Sequence, residues 1–175
     1  LVLAFHRLEA IGPGGMRLGE GAALALLEPE ALARARGARI RALVTGYGTA
    51  FTPPSTPDAP LVAPSARAVE RAARAALADA NVSPAEVDLV VSGVSGYALM
   101  DAPEFEALAR VTPDACVTAP KARYGETLGA AGAFAMASAC AWMSGTPVTS
   151  VVRGSAPDKV RTALLTVAGF YGNAS

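Results

Sequence analysis

Apolar and charged positions repeat with two different periods along this chain, and these periods predict helices that alternate with strands. Over residues 65–80, apolar side chains recur every three or four positions and form one stripe, with charged side chains away from it. This spacing predicts an amphipathic helix, because 3.6 residues make one helical turn. The stripe consists of Val69, Ala72, Ala73, Ala76, Leu77 and Ala80, and the charged side of Arg67, Glu70, Arg71 and Arg74.

Shorter apolar runs predict the remaining elements. The predicted strands are residues 21–28, 39–46, 87–92, 116–119, 148–152 and 162–168. The further predicted helices are residues 29–36, 102–111, with Phe105 and Leu108 facing inward, and 126–143. The proline-rich residues 49–64 predict a loop. Strands that alternate with helices in this way predict a layered α/β fold.

Charge and composition narrow the classes of function. The 175 residues include 15 Lys and Arg against 15 Asp and Glu, so nothing predicts attraction to nucleic acid or to a membrane surface. Hydrophobic residues make up 52% of the chain, which is high for an isolated domain and predicts a large buried face. The length fits one domain, or one half of a duplicated one.

Cysteine and histidine are too few to predict a metal site. The single histidine, His6, and the two cysteines, Cys116 and Cys140, form no Cys-x-x-Cys pattern, so we expect no zinc. Cys116 falls in a predicted buried strand and Cys140 on the apolar face of a predicted helix, where free cysteine is commonly a small core residue. Two cysteines without a pairing pattern favour a reducing cytoplasm.

The longest predicted helix has no charged residue after its first position. Residues 127–144 approach the length of a membrane span. Most of them are Gly, Ala and Ser, which are only weakly hydrophobic. We therefore expect a helix that packs closely against its neighbours in a folded domain, and no membrane partner.

Two sequence motifs indicate which family of proteins this chain resembles. Residues 121–133 read Lys-Ala-Arg-Tyr-Gly-Glu-Thr-Leu-Gly-Ala-Ala-Gly-Ala. This resembles the signature Lys-x-x-x-Gly-His-x-x-Gly-Ala-Ala-Gly-Ala of β-ketoacyl synthases, which extend fatty-acid and polyketide chains, with Glu126 in the place of a histidine. Residues 87–104 resemble, without gaps, the family segment Val-Asp-x-Val-x-x-His-Gly-Thr-x-Thr-x-x-x-Asp-x-x-Glu. Gly93 stands in the place of the other histidine.

Three further blocks in the same order extend the resemblance over nearly the whole chain. Residues 18–28 resemble the Gly-Glu-Gly-Ala strand of the family, and residues 35–48 resemble the strand paired with it. Residues 169–173 resemble a shortened form of the Gly-Phe-Gly-Gly-x-Asn loop. That loop would place four residues near the tunnel for the growing chain, namely Gly169, Phe170, Gly172 and Asn173.

The resemblance implies a fold as well as a family. We expect the C-terminal half of a thiolase-like fold, a layered α-β-α arrangement completed by an N-terminal half that is not in this chain. Residues 1–175 would then form one ketosynthase-like C-terminal domain, and the chain would be a fragment or processed part of a longer protein. The nucleophilic cysteine of the family belongs to that N-terminal half.

The two replaced histidines imply that this chain holds no catalytic residue. In the family, the cysteine carries the acyl chain as a thioester, and the histidines stabilise the enolate that forms when a malonyl group loses carbon dioxide. Gly93 has no side chain to donate a hydrogen bond, and Glu126 carries the wrong charge for that role. His6 lies outside both motifs. The resemblance implies no cofactor.

Three acidic or basic residues of the family pattern are retained. Lys121 and Glu104 match a lysine and an acid that lie under the family's active site, and we expect them to form a partly buried ion pair that fixes two loops. Asp101, followed three residues later by Glu104, also predicts a helix start with Asp101 as its cap. Structural and functional roles of the two acids stay open at this point.

Three functions are consistent with the sequence. The first is a chain length factor, a non-catalytic subunit that forms a heterodimer with a cysteine-bearing ketosynthase and shapes the tunnel for a chain carried on the phosphopantetheine of an acyl carrier protein. The second is an acyltransferase or condensing enzyme with altered chemistry, in which Glu126 acts as a general base and the missing half supplies the nucleophile. The third is an acyl-carrier or lipid-binding scaffold with a thiolase-like fold.

Overall fold

The structure, a computed structural model, describes residues 5, 10–53, 65–169 and 172–175. The helices are α1 (Glu30–Ala35), α2 (Ala66–Asp79), α3 (Ala98–Val111), α4 (Pro120–Tyr124) and α5 (Ala131–Met143), with 3-10 turns at Pro84–Glu86 and Leu128–Ala130. The strands are β1 (Ala50–Phe51), β2 (Leu89–Val91), β3 (Cys116–Thr118), β4 (Val151–Arg153), β5 (Ala163–Leu165) and β6 (Asn173–Ala174).

The central sheet has four strands in the order β4-β3-β2-β5. Strand β2 runs parallel to both β3 and β5, with Val90 opposite Val117 and Leu164. Strand β4 runs antiparallel to β3 at one edge. Strands β1 and β6 form a separate antiparallel pair. Neighbouring parallel strands with helices in the connections make the α/β arrangement that the sequence predicts.

Alternate residues of β2 and β3 face two different helical layers. Val90 and Val117, both 0% exposed, pack in one cluster with Leu77 of α2 and Leu108 of α3. The other face of the sheet packs against α5 through Leu89, Val91, Cys116, Ala135, Ala139 and Trp142. Successive side chains of a strand point to opposite faces, so burial of both sets requires helices on both sides. The predicted α-β-α layering is therefore confirmed.

Helix α2 matches its prediction within one residue at each end. Its N-cap is Ser65, whose hydroxyl oxygen accepts a hydrogen bond from the Ala68 backbone N–H at 3.4 Å. The predicted apolar stripe is the packed face, with Val69 and Leu77 buried. The short helix α1 also lies within its predicted range, residues 29–36.

The two predicted strands at residues 21–28 and 39–46 are wrong. Neither segment pairs with any part of the chain that the structure describes, and Leu24 and Val44 are 102% and 71% exposed. An apolar sequence favours a strand, but a strand also needs a neighbour for its backbone groups. Just beyond the second segment, Gly48 crosses α2 so closely that a Cβ there would lie 2.2 Å from a backbone oxygen of the helix.

Helices α3 and α5 begin at other residues than predicted. Helix α3 begins at Ala98, four residues before the prediction, and its N-cap is Tyr97, so Asp101 is wrong as the cap. Helix α5 begins at Ala131 because Leu128 adopts a left-handed φ of 52°, which separates the helix from Glu126.

The last strands are shorter than predicted. Strands β4 and β5 cover three residues each, within or overlapping the predicted ranges 148–152 and 162–168. The hydroxyl of Thr149 lies before β4 and accepts a hydrogen bond from Trp142 Nε1 at 2.9 Å, which joins this segment to α5 through side chains. The predicted loop at residues 49–64 contains β1 at its start, and its residues 54–64 lie outside the described residues.

Candidate functional site

Four residues singled out from the sequence meet at the carboxyl ends of β2 and β3. Gly93 follows β2, Lys121 lies in α4 directly after β3, Glu104 lies in α3, and Glu126 follows α4. They line one cavity of about 40 Å³, together with Met16, Ser95, Met100 and Ala168. Carboxyl ends of parallel strands are where α/β folds commonly place binding sites. The structure thus brings the two family motifs together at one point.

Glu104 is the most buried charged residue of this site, with 2% of its surface exposed. Its Oε1 accepts hydrogen bonds from the Gly93 backbone N–H at 2.8 Å and from Thr166 Oγ1 at 2.5 Å. Burial raises the pKa of Glu104 above its usual range, and these hydrogen bonds and the charge of Lys121 offset part of the rise. Glu104 therefore joins α3 to the ends of two strands.

The predicted ion pair between Lys121 and Glu104 is wrong, because Lys121 pairs with Glu126. Lys121 Nζ lies 2.6 Å from Glu126 Oε2, and the two side chains are only 15% and 9% exposed. A glutamate at position 126 supplies a carboxylate within reach of the lysine, which a histidine would not. The positive charge of Lys121 is therefore balanced by the carboxylate of Glu126.

Both carboxylate oxygens of Glu126 are engaged. Oε2 accepts from Lys121, and Oε1 accepts from the Leu128 backbone N–H at 2.7 Å. The Glu126 backbone donates to the Arg17 carbonyl oxygen at 2.7 Å and accepts from the Gly19 N–H at 3.0 Å. Glu126 consequently fixes the segment around Gly19 and the start of the 3-10 turn.

Only glycine fits at position 19. A Cβ there would lie 2.0 Å from the Tyr124 carbonyl oxygen, and real Cβ atoms essentially never come within 3.0 Å of another heavy atom. Arg17 reinforces the same contact, since its guanidinium Nη2 donates to the Arg123 carbonyl oxygen at 2.5 Å. The segment before residue 20 therefore closes over the end of α4, beside the ion pair.

Asp101 orders the loop that follows β2. Its carboxylate is 7% exposed and accepts from the backbone N–H groups of Ser95 at 2.9 Å and Gly96 at 2.7 Å. Gly96 adopts a φ of 92°, which glycine tolerates and other residues rarely do. The Asp101 side chain reaches back from inside the helix, and these contacts give it a structural role.

Position 93 has little room for a larger residue. A Cβ on Gly93 would lie 3.1 Å from Glu104 Oε2 and 3.3 Å from the Thr166 carbonyl oxygen. An imidazole there would require Glu104 to move from its present position. The glycine contributes its backbone N–H to Glu104, and its lack of a side chain avoids these close contacts.

The C-terminal glycine loop lies partly at the site. Ala168, directly before the loop, lines the cavity, and the Gly169 N–H donates to the Asn173 carbonyl oxygen at 2.9 Å. Gly172, with a φ of 82°, accepts from the Thr52 N–H at 2.9 Å and belongs with the small β1–β6 pair. Phe170 lies outside the described residues.

Sequence reasoning missed Thr166 and Met16. Thr166 follows β5, and its hydroxyl donates a second hydrogen bond to Glu104 beside the one from Gly93; the need of a buried acid for donors was the signal that could have pointed to such a residue. Met16 reaches the cavity from a segment that carried no motif.

Other site types find no support in the described residues. No group of three or more Cys, His, Asp or Glu side chains among them is arranged to hold a metal ion, and His6 lies outside them. Cys116 and Cys140 are free thiols, and burial raises the pKa of Cys116. No described helix is long and apolar enough to cross a membrane.

Comparison with known proteins identifies relatives of this chain. Residues 42–152 match the family described as "Beta-ketoacyl synthase, C-terminal domain". The chain is 36% identical, over 92% of its length, to "Putative polyketide beta-ketoacyl synthase 2" of Streptomyces coelicolor, of which it covers 41%. The chain thus spans about two-fifths of the length of this curated relative.

Solved structures give the same fold. The structure of the ishigamide ketosynthase/chain length factor superposes with a TM-score of 0.83 at 30% identity, over 98% of this chain and 48% of that one. A type II polyketide synthase acyl-carrier protein in complex with its ketosynthase matches with a TM-score of 0.68 at 24% identity, over 84% and 40%. The fold is therefore that of the C-terminal half of a thiolase-like ketosynthase.

Proposed function

This chain belongs to the β-ketoacyl synthase family, and we propose that it serves there as a non-catalytic, chain-length-factor-like subunit. In this proposal it pairs with a cysteine-bearing ketosynthase and helps to shape the tunnel that holds the growing acyl or polyketide chain. The complex as a whole is a transferase that works on chains bound to the phosphopantetheine of an acyl carrier protein. An N-terminal half completes the fold of this subunit.

The ion pair between Lys121 and Glu126 carries the proposal. Decarboxylative condensation needs hydrogen-bond donors or positive charge where the enolate oxygen develops. At this site, the Glu126 carboxylate accepts hydrogen bonds, and Gly93 has no side chain. The positive charge of Lys121 is balanced by Glu126, whose Oε2 lies 2.6 Å from Lys121 Nζ. The two positions that would have to stabilise the enolate therefore cannot do so, while the surrounding contacts keep the fold intact.

The enzyme with altered chemistry is less consistent with this geometry. A general base must lie within hydrogen-bond reach of the proton that it removes. Each oxygen of Glu126 already accepts one hydrogen bond, from Lys121 or from the Leu128 N–H, so proton removal would compete with the ion pair for the same carboxylate. This alternative and a scaffold without a ketosynthase partner are distinguished by the experiment below.

The proposed partners are supported by the named relatives, and the proposed compartment is supported by the two free thiols of the chain. The solved relatives named above include a ketosynthase with a chain length factor and a ketosynthase with its acyl-carrier protein, which supports the same kinds of partner here. The free thiols Cys116 and Cys140 fit a reducing compartment, and we propose the cytoplasm.

The first experiment is intact mass spectrometry of the native assembly that contains this chain. We expect a heterodimer with a separate, cysteine-bearing ketosynthase subunit. An assembly without any ketosynthase would contradict the proposal and favour the scaffold.

The second experiment locates the chemistry. With acyl-loaded and malonyl-loaded carrier protein, we expect the condensation product to disappear when the partner's nucleophilic cysteine is replaced by alanine, because no acyl thioester can then form. Replacing both Gly93 and Glu126 by histidine in this chain is expected to give no condensation in the absence of the partner, since the nucleophile is still missing. Condensation by the unmodified chain without the partner would overturn the non-catalytic assignment.

A further inference from the structure

The cavity beside Gly93 has the size of a water site. Its volume is about 40 Å³, and it is lined by Glu104, Lys121 and Glu126 among others. One water needs roughly 10–15 Å³ of such space, and drug-sized ligands need roughly 300 Å³ or more. The volume therefore admits roughly three water molecules and no drug-sized ligand.

One oxygen of the Glu104 carboxyl group, Oε2, has no hydrogen-bond partner among the residues that the structure describes. Its residue is 2% exposed, and both of its hydrogen bonds from described residues are accepted by Oε1. Oε2 lies 3.1 Å from the position that a Cβ on Gly93 would occupy. A carboxyl oxygen that borders a polar cavity is stabilised when a water molecule there forms a hydrogen bond with it.

Two more polar groups surround the same space. Lys121 Nζ has three N–H donors, and among the described residues its one ion-pair contact is with Glu126 Oε2. Glu126, whose Oε2 pairs with Lys121, supplies a second carboxylate to the lining of the cavity. A buried water typically makes about three hydrogen bonds, and this cavity offers a donor and two oxygens for them.

We propose that this cavity binds ordered water, which bridges Glu104 and Lys121 beside the backbone of Gly93. The bridging water accepts from Lys121 Nζ and donates to Glu104 Oε2. The bridge joins the two residues that form no direct ion pair. This inference goes beyond the proposed function and does not depend on it.

A matched pair of variants tests the site in the native assembly. Gly93→Ala places a methyl group in the space and supplies no hydrogen bond, whereas Gly93→Ser places the same Cβ together with a hydroxyl group. We expect Gly93→Ala to lower Tm by about 2–4 °C, and Gly93→Ser to recover at least half of that loss. An alanine variant as stable as the parent, or a serine variant no more stable than the alanine variant, would overturn the water bridge.

A direct observation keeps the proposal testable if either variant fails to fold. A crystal structure of the unmodified assembly, at a resolution that shows ordered waters, is expected to contain density within hydrogen-bond distance of both Glu104 Oε2 and Lys121 Nζ. An ordered cavity with no density at that position would refute the inference.

Discussion

Removing the negative charge of Glu126 tests whether the ion pair with Lys121 stabilises the fold. Glu126→Gln keeps the size of the side chain and an oxygen that can accept from the Leu128 N–H, but it leaves Lys121 without a counter-charge. Removing one partner of a buried ion pair costs about 3–5 kcal/mol. Lys121 is still 15% exposed, so we expect the lower end, about 3 kcal/mol, or roughly a hundredfold loss in the folding equilibrium constant.

A double-mutant cycle separates this pair from the other contacts. Lys121→Met leaves the Glu126 charge without its partner, and we expect a loss similar to that of Glu126→Gln. In the double variant both charges are gone, and replacing a buried pair by neutral residues is often close to neutral in stability. We therefore expect the double variant to be more stable than the sum of the single variants predicts, by about 1–3 kcal/mol.

The assay is urea unfolding of the native assembly, with free energies from linear extrapolation. Single variants that each lie within about 0.5 kcal/mol of the parent, with additive effects in the double variant, would show that no coupling exists. That outcome would refute the role given to Glu126 as the structural partner of Lys121.

Two further predictions concern stability. Burial raises the pKa of Glu104 in the folded state, so its contribution to stability is fully present below the ordinary glutamate pKa of the unfolded state and is lost as pH rises through the folded pKa. Glu104→Gln should therefore gain stability relative to the parent as pH rises from that value, in unfolding curves measured across pH. Gly19→Ala should destabilise the protein by more than about 1 kcal/mol in urea unfolding, because its Cβ would lie 2.0 Å from the Tyr124 carbonyl oxygen. The control Gly132→Ala should not have this effect, because a Cβ at position 132 meets nothing within 4 Å. Equal losses of stability in the two variants would contradict the close approach at Gly19.

The helices and strands of the core could be predicted from the sequence because local pattern determines them. Helix α2 has a complete apolar stripe and a serine cap, and both act within the helix itself. Strands β2 and β3 are short apolar runs that the sheet buries on both faces. The apolar residues 21–28 carry a similar signal, yet they form no strand, because pairing depends on a neighbour that the local sequence does not specify.

The sequence by itself also determined which residues would gather at the site. The two motifs placed Gly93, Glu104, Lys121 and Glu126 together, and all four line one cavity. Only the tertiary structure decided which charges pair. Lys121 forms its ion pair with Glu126, whereas Glu104 accepts hydrogen bonds from Gly93 and Thr166. Distances of a few ångströms between side chains on different elements set such pairings, and residue order along the chain does not encode them directly.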